Sequence, residues 1–154
     1  YPMIHSDRPV AFWNSNNVVV DHNLFEILTN EPLLIWSCLV SSLQILFREL
    51  FGRSSLGQGA LKTEGMDIRK FYVLRPEVFS AAATTAIHKG FDALSRRPVY
   101  SLANEISQPD RCALDTVLFD TLGLMKSERQ MVYRAAVALV QRRLEKAESL
   151  SQKR

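Results

Sequence analysis

Four cationic side chains, Arg53, Lys62, Arg69 and Lys70, stand in or just beyond a stretch, residues 52–65, that holds four of the six glycines of this 154-residue chain. Glycines with small neighbours such as Ser54 and Ser55 let a backbone bend and bring its amides close to another surface, and cations beside them neutralise phosphates and release counterions. Reading a base edge needs Arg, Asn or Gln, and Arg53, Gln58 and the run Asn14-Ser-Asn-Asn17 are the residues that fit. The chemistry on offer is contact with a polyanion. Each of these residues also has a plainer role, since protein surfaces need solvated charges and an Asn-rich run suits a hairpin turn.

Charge along the chain points the same way. The totals, 19 Lys+Arg against 16 Asp+Glu, leave only +3. Residues 48–97, however, carry Arg48, Arg53, Lys62, Arg69, Lys70, Arg75, Lys89, Arg96 and Arg97 against Glu49, Glu64, Asp67, Glu77 and Asp92, a local excess of four.

Catalytic patterns are missing from the sequence. His5, His22 and His88 are scattered without a Cys or carboxylate at ligand or triad spacing, and surface or capping roles are expected for them. Asp115 and Asp120 would not share a helix face, so a carboxylate pair for acid–base work is not expected. Gly52 and Gly57 have phosphate-loop spacing, but Gln58 replaces the lysine and the loop follows a helix instead of a strand. A nucleotide-binding enzyme is therefore the weakest of the three functional readings considered. Cys38 and Cys112 are isolated within apolar helical patterns, as in a reducing cytosol. The apolar run 33–47 is too short and too interrupted to cross a bilayer, which needs roughly 20 apolar residues.

The elements that must carry these residues follow from periodicity. Val10-Ala-Phe-Trp13 and Val18-Val-Val20 predict short strands, with Phe12, Trp13 and Trp36 in the core. Pro32 opens a predicted helix to Phe51, with Ser37, Ser41, Gln44 and Arg48 as a polar stripe and Trp36, Leu39, Val40, Leu43, Phe47 and Leu50 on the face to be buried. A short strand is predicted over 71–74, then a helix from Pro76 to about Gly90. Pro109 starts a helix ending at Gly123, and Ser127-Glu-Arg-Gln130 reads as a capping box for a last helix to about Leu150. Arg142-Arg143, accompanied by Glu145 and Glu148, is expected on a solvated face. The fold class is α+β: a small β-containing portion, residues 1–75, followed by a mainly helical portion, residues 76–154.

The series Leu39-Val-Ser-Ser-Leu-Gln-Ile-Leu-Phe-Arg-Glu-Leu-Phe-Gly-Arg-Ser-Ser-Leu-Gly-Gln-Gly-Ala-Leu-Lys-Thr63, followed by Asp67-Ile-Arg-Lys-Phe-Tyr-Val-Leu-Arg-Pro76, resembles the target-recognition region of adenine-N6 DNA methyltransferases of restriction–modification systems, including the fused type II enzymes. The tail, Phe119-Asp-Thr-Leu-Gly-Leu-Met-Lys-Ser-Glu-Arg-Gln-Met-Val-Tyr133 and Arg143-Leu-Glu-Lys-Ala147, is similar to their C-terminal end. Val40-Ser-Ser42 stands where that family has Leu-Asn-Ser, and neither its Asn/Asp-Pro-Pro-Tyr/Phe catalytic motif nor its Gly-rich cofactor motif occurs in this chain.

The resemblance implies a cytoplasmic, non-catalytic recognition fragment with double-stranded DNA as partner and a methyltransferase domain upstream in the same polypeptide. S-adenosylmethionine would bind the parent protein and not this chain. Arg53, Ser54, Ser55, Gln58, Lys62, Arg69 and Lys70 are the residues expected at the DNA. The alternative is a helical module that binds protein partners through residues 76–150, with the basic loop incidental.

Overall fold

The computed structural model describes residues 1–54 and 59–151. Among the described residues ten elements follow in chain order: β1 (Ile4–His5), α1 (Pro32–Val40), α2 (Ser42–Phe51), β2 (Leu61–Lys62), α3 (Gly65–Ile68), a 3-10 turn (Pro76–Val78), α4 (Ala81–Ser95), α5 (Leu102–Glu105), α6 (Pro109–Thr121) and α7 (Lys126–Ser151). The fold is α+β and mainly helical. Its sheet is one antiparallel pair, β1–β2, with Ile4 opposite Lys62 and His5 opposite Leu61. Among the described residues, no strand forms over 10–13, 18–20 or 71–74. Those stretches have β-forming side chains but no neighbouring strand to complete a ladder. The polar run is a turn, closed by Asn14 Nδ2 on the Val18 carbonyl and with Asn17 at φ 50°, but strands do not flank it.

The expected single helix over 32–51 is two, bent by 63° at Ser41. Ser41 sits in extended backbone, donates its hydroxyl to the Cys38 carbonyl (2.7 Å) and accepts from the Gln44 amide (3.1 Å), ending α1 and capping α2. Helix α6 holds the break from the side. Arg111 Nη1 donates to the Val40 carbonyl at the C-terminus of α1 (2.8 Å), while Asp115 accepts from the Ser42 amide (2.9 Å) and hydroxyl (2.6 Å) at the N-terminus of α2. A cation at a helix C-terminus and an anion at a helix N-terminus each complement the local dipole, and one turn of α6 supplies both.

The burial of α2 is also inverted relative to its pattern. The polar stripe Ser37, Ser41, Gln44 and Arg48 is inside, at 0–3% exposure, whereas Leu50 is 57% exposed and Leu43 and Phe47 are only partly covered. Trp36 is buried as expected, with its indole N–H on the Ala11 carbonyl, but Phe12 and Trp13 are exposed.

Two apolar clusters organise the helices. Leu33, Leu34, Trp36 and Val40 of α1 pack with Ile87 and Leu94 of α4 and Leu114 and Leu118 of α6. Ile45 of α2 packs with Leu102 of α5 and with Ala136 and Val140 of α7. Each cluster draws on both sides of residue 75. Helix α4 begins at Ala81, after its Ser80 cap, and not at Pro76, and it runs through Gly90, where a Cβ would meet Leu114 at 3.2 Å. Gly123, at φ 68°, ends the α6 segment. Helix α7 starts one residue before the expected Ser127 cap, because Glu128 reaches back to accept from the Met125 amide at 2.7 Å. No single helix among the described residues is long and apolar enough to cross a membrane.

Candidate functional site

The glycine-rich stretch is held at its base by a reciprocal backbone pair: the Arg53 amide donates to the Lys62 carbonyl and the Lys62 amide to the Arg53 carbonyl, both at 2.8 Å. Arg53 is therefore bridged to β2, and β2 is rooted on β1. Immediately after β2 the chain turns into α3, whose start is fixed by the Glu64 amide on the Asp67 carboxylate at 3.0 Å.

That turn brings three of the expected cations around two carboxylates. Lys62 Nζ lies 3.1 Å from Glu64; Arg53 lies 3.5 Å from Glu64 and 3.7 Å from Asp67; Lys70 Nζ lies 3.9 Å from Asp67. The Arg53 and Lys70 side chains stay half-exposed, and Asp67 is buried beneath them at 2%. Arg69, the C-cap of α3, and Ser54, next to Arg53, are exposed. Ser55 and Gln58 lie outside the described residues. The cluster of Arg53, Lys62 and Lys70 with Glu64 and Asp67 thus holds an excess of one positive charge, with Arg69 exposed next to it in the chain. Two of its five members, the acids, are absent from the expected set; their spacing of three residues around a glycine, at the start of a helical turn, is the signal that marks them.

Beside this cluster lies a buried ionic layer. Arg143, expected on a solvated face, is instead enclosed: it grips both oxygens of Glu49 on α2 (2.8 and 2.9 Å) and donates to the Ser6 carbonyl (3.2 Å) and to the Gly59 carbonyl. Gly59 is at φ 71°, and a Cβ there would strike Leu144 at 2.9 Å, so the backbone at Gly59 lies against α7. Only Arg142, of the two arginines, faces solvent.

His5 is buried as well, against the expectation of a surface role. Arg48 Nη1 approaches its Nδ1 (3.3 Å) and Thr63 Oγ1 its Nε2 (3.0 Å), while Thr63 Oγ1 is 3.3 Å from the Met3 carbonyl. Because arginine only donates, Nδ1 must accept, so the proton sits on Nε2 and passes the chain of donors through Thr63 to Met3. Burial, followed by the charges of Arg48 and Arg143, pushes the imidazole down to about 2, and it is neutral at every physiological pH. Burial also pulls Arg48 below its ordinary value, with Tyr1 and Glu49 opposing.

The two acids weighed as a carboxylate pair are held apart in ordinary polar contacts. Asp115 is enclosed between Ser42, Arg111 and Tyr133, and Asp120 is surface-paired to Arg129. The connection leads from helix α2 to strand β2, the reverse of the strand-to-helix order of a phosphate loop, and the Gly59 carbonyl is engaged by Arg143; Gly57 lies outside the described residues. An apolar groove of about 340 Å³ runs between α2, residues 72–74 and α6, lined by Leu43, Phe47, Tyr72, Val73 and Leu122. Comparison with protein-family models, curated proteins and solved structures gives no match.

Proposed function

We propose that this chain is the DNA target-recognition portion of an adenine-N6 DNA methyltransferase of a restriction–modification system, non-catalytic by itself. The surface around Arg53, Lys62 and Lys70 meets duplex DNA, and the chain presents an adenine to a methyl-transfer domain upstream, which flips the base and holds S-adenosylmethionine. The observation that carries this reading is the juxtaposition beside β2: Arg53, Lys62 and Lys70, spread over eighteen residues, gather on one surface with an excess of positive charge. The segments on which the resemblance rests are the same ones that build this surface.

Glu64 and Asp67 have a definite part in it. They hold the cations in place when no phosphate is present, so ordering the long side chains is not left to the moment of binding. Phosphate then competes with Glu64, the more exposed of the two acids, for Arg53 and Lys62.

Two variants test this. Arg53→Ala and Lys62→Ala are each expected to weaken duplex binding about three- to tenfold near 0.1 M salt, while costing less than ~1 kcal/mol of stability, because half-exposed ion pairs contribute little to folding. Unchanged binding in both variants overturns the reading and favours the protein-docking alternative, for which the apolar groove beside α2 would be the seat.

A further inference from the structure

One donor in the wall of the apolar groove beside α2 has no partner. Gln44 lines the groove, is 2% exposed, and has its Nε2 buried without a hydrogen bond to any of the described residues. Burying an amide unpaired is costly, and nearly all such groups in folded proteins are satisfied by something. Ser41, which also lines the groove, is already committed: its hydroxyl donates to the Cys38 carbonyl (2.7 Å) and accepts from the Gln44 backbone amide (3.1 Å). We propose that the groove is a binding site for a small neutral aromatic carbonyl compound, whose oxygen accepts from Gln44 Nε2. The site is separate from the DNA-recognition surface and does not depend on that reading, since Arg53, Lys62 and Lys70 do not line it.

Shape and charge narrow the ligand class. The volume of the groove, about 340 Å³, lies at the small end of the roughly 300–1,000 Å³ of small-molecule sites, which suits a single ring with a short substituent. None of the residues lining it is charged, so a carboxylate or ammonium would shed its hydration there without compensation. Buried Cys38 and Leu118 form the inner wall, while Val73 and Leu122 stand exposed at the rim. The Phe47 and Tyr72 rings, 5.8 Å apart, meet at one side, where a ligand ring can pack against them. Gln44 is buried below the rim residues, so a compact molecule reaches its amide, whereas a protein surface would have to insert a side chain to do so.

The test titrates the whole chain with two probes of nearly the same outline, acetophenone, which carries the acceptor, and ethylbenzene, which does not, and follows backbone amide shifts by NMR. Both are expected to bind at or below millimolar concentration, with shifts centred on Leu43, Tyr72, Val73 and Leu122. The deciding quantity is the ratio of their affinities, because ketone and hydrocarbon are hydrated differently before they bind. In Gln44→Met, which keeps the length of the side chain and removes the donor, that ratio is expected to shift about tenfold against acetophenone, the scale of one buried hydrogen bond. The variant should unfold at no lower urea concentration than the wild type, since no internal partner is lost. Leu122→Trp, which fills the rim without touching Gln44, should abolish binding of both probes. A ratio unchanged in Gln44→Met overturns the proposal, as does a marked loss of stability in that variant, which would mean that the amide has its partner within the fold. Binding that survives Leu122→Trp places the probes elsewhere and overturns it too. Binding of neither probe to the wild type refutes the small-molecule site and leaves the groove to a protein partner.

Discussion

Acid should unfold this protein through one residue well before its carboxylates titrate. His5 is 3% exposed, faces the Arg48 guanidinium at 3.3 Å, and is held at about 2 in the fold. In the unfolded chain an imidazole titrates near 6.5. Between those two values the unfolded state binds a proton that the folded state refuses, so stability is full above about pH 6.5 and falls as pH drops. The loss is ~1.4 kcal/mol for each pH unit below the unfolded value, which gives about 2 kcal/mol between pH 8 and pH 5. Urea unfolding at pH 8, 6 and 5 measures it. His5→Asn shares every other titrating group with the wild type, so the difference between their two stability curves isolates this histidine. The wild type should lose about 2 kcal/mol more than the variant across that range. Parallel curves would mean that His5 takes up a proton in the fold, and the arrangement with Arg48 and Thr63 would be wrong.

Two further outcomes follow from the same geometry. Glu64→Gln removes the carboxylate that competes with phosphate for Arg53 and Lys62, so duplex DNA should bind about two- to fivefold more tightly, a gain of ~0.5–1 kcal/mol for one screened charge near the contact surface; weaker binding, by fluorescence anisotropy, would show that the acid only supports the site. Asp115→Ala strands the buried Ser42 amide and hydroxyl, two donors that it accepts at 2.9 and 2.6 Å, while Arg111 keeps its pair with Glu105, so unfolding should be easier by about 3 kcal/mol; a cost under ~1 kcal/mol in urea would show that Asp115 does not secure the α1–α2 break.

What was legible in the sequence depended on whether the partner was near in the chain. Pro109 and Gly123 bound the α6 segment as expected, because breakers act over one turn, whereas α7 starts two residues before the helix expected after a Ser127 cap, with Ser127 inside it. The polar stripe of α2 was visible but assigned to solvent. It faces inward because its partners come from far away: Asp115 meets Ser42 across 73 residues, His5 meets Arg48 across 43, and Arg143 grips neighbouring Glu49 across 94. No local periodicity distinguishes a solvated polar face from one that meets such a layer. The sheet escaped notice for the same reason, since Ile4–His5 is two residues long and is a strand only because Leu61–Lys62 pairs with it. At the candidate site the cations Arg53, Lys62 and Lys70 could be named from composition, but their pairing with Glu64 and Asp67 needed the turn of α3.

The most direct test of DNA recognition is the salt dependence of duplex binding by the intact chain. Arg53, Lys62 and Lys70 with exposed Arg69 beside them, offset by two carboxylates, correspond to roughly two to four neutralised phosphates, hence a slope of log affinity against log salt of about −2 to −4, or a loss of roughly 15- to 250-fold between 50 and 200 mM salt. Binding with that slope is the expected result. No measurable association at 50 mM salt, or an affinity indifferent to salt, would contradict it.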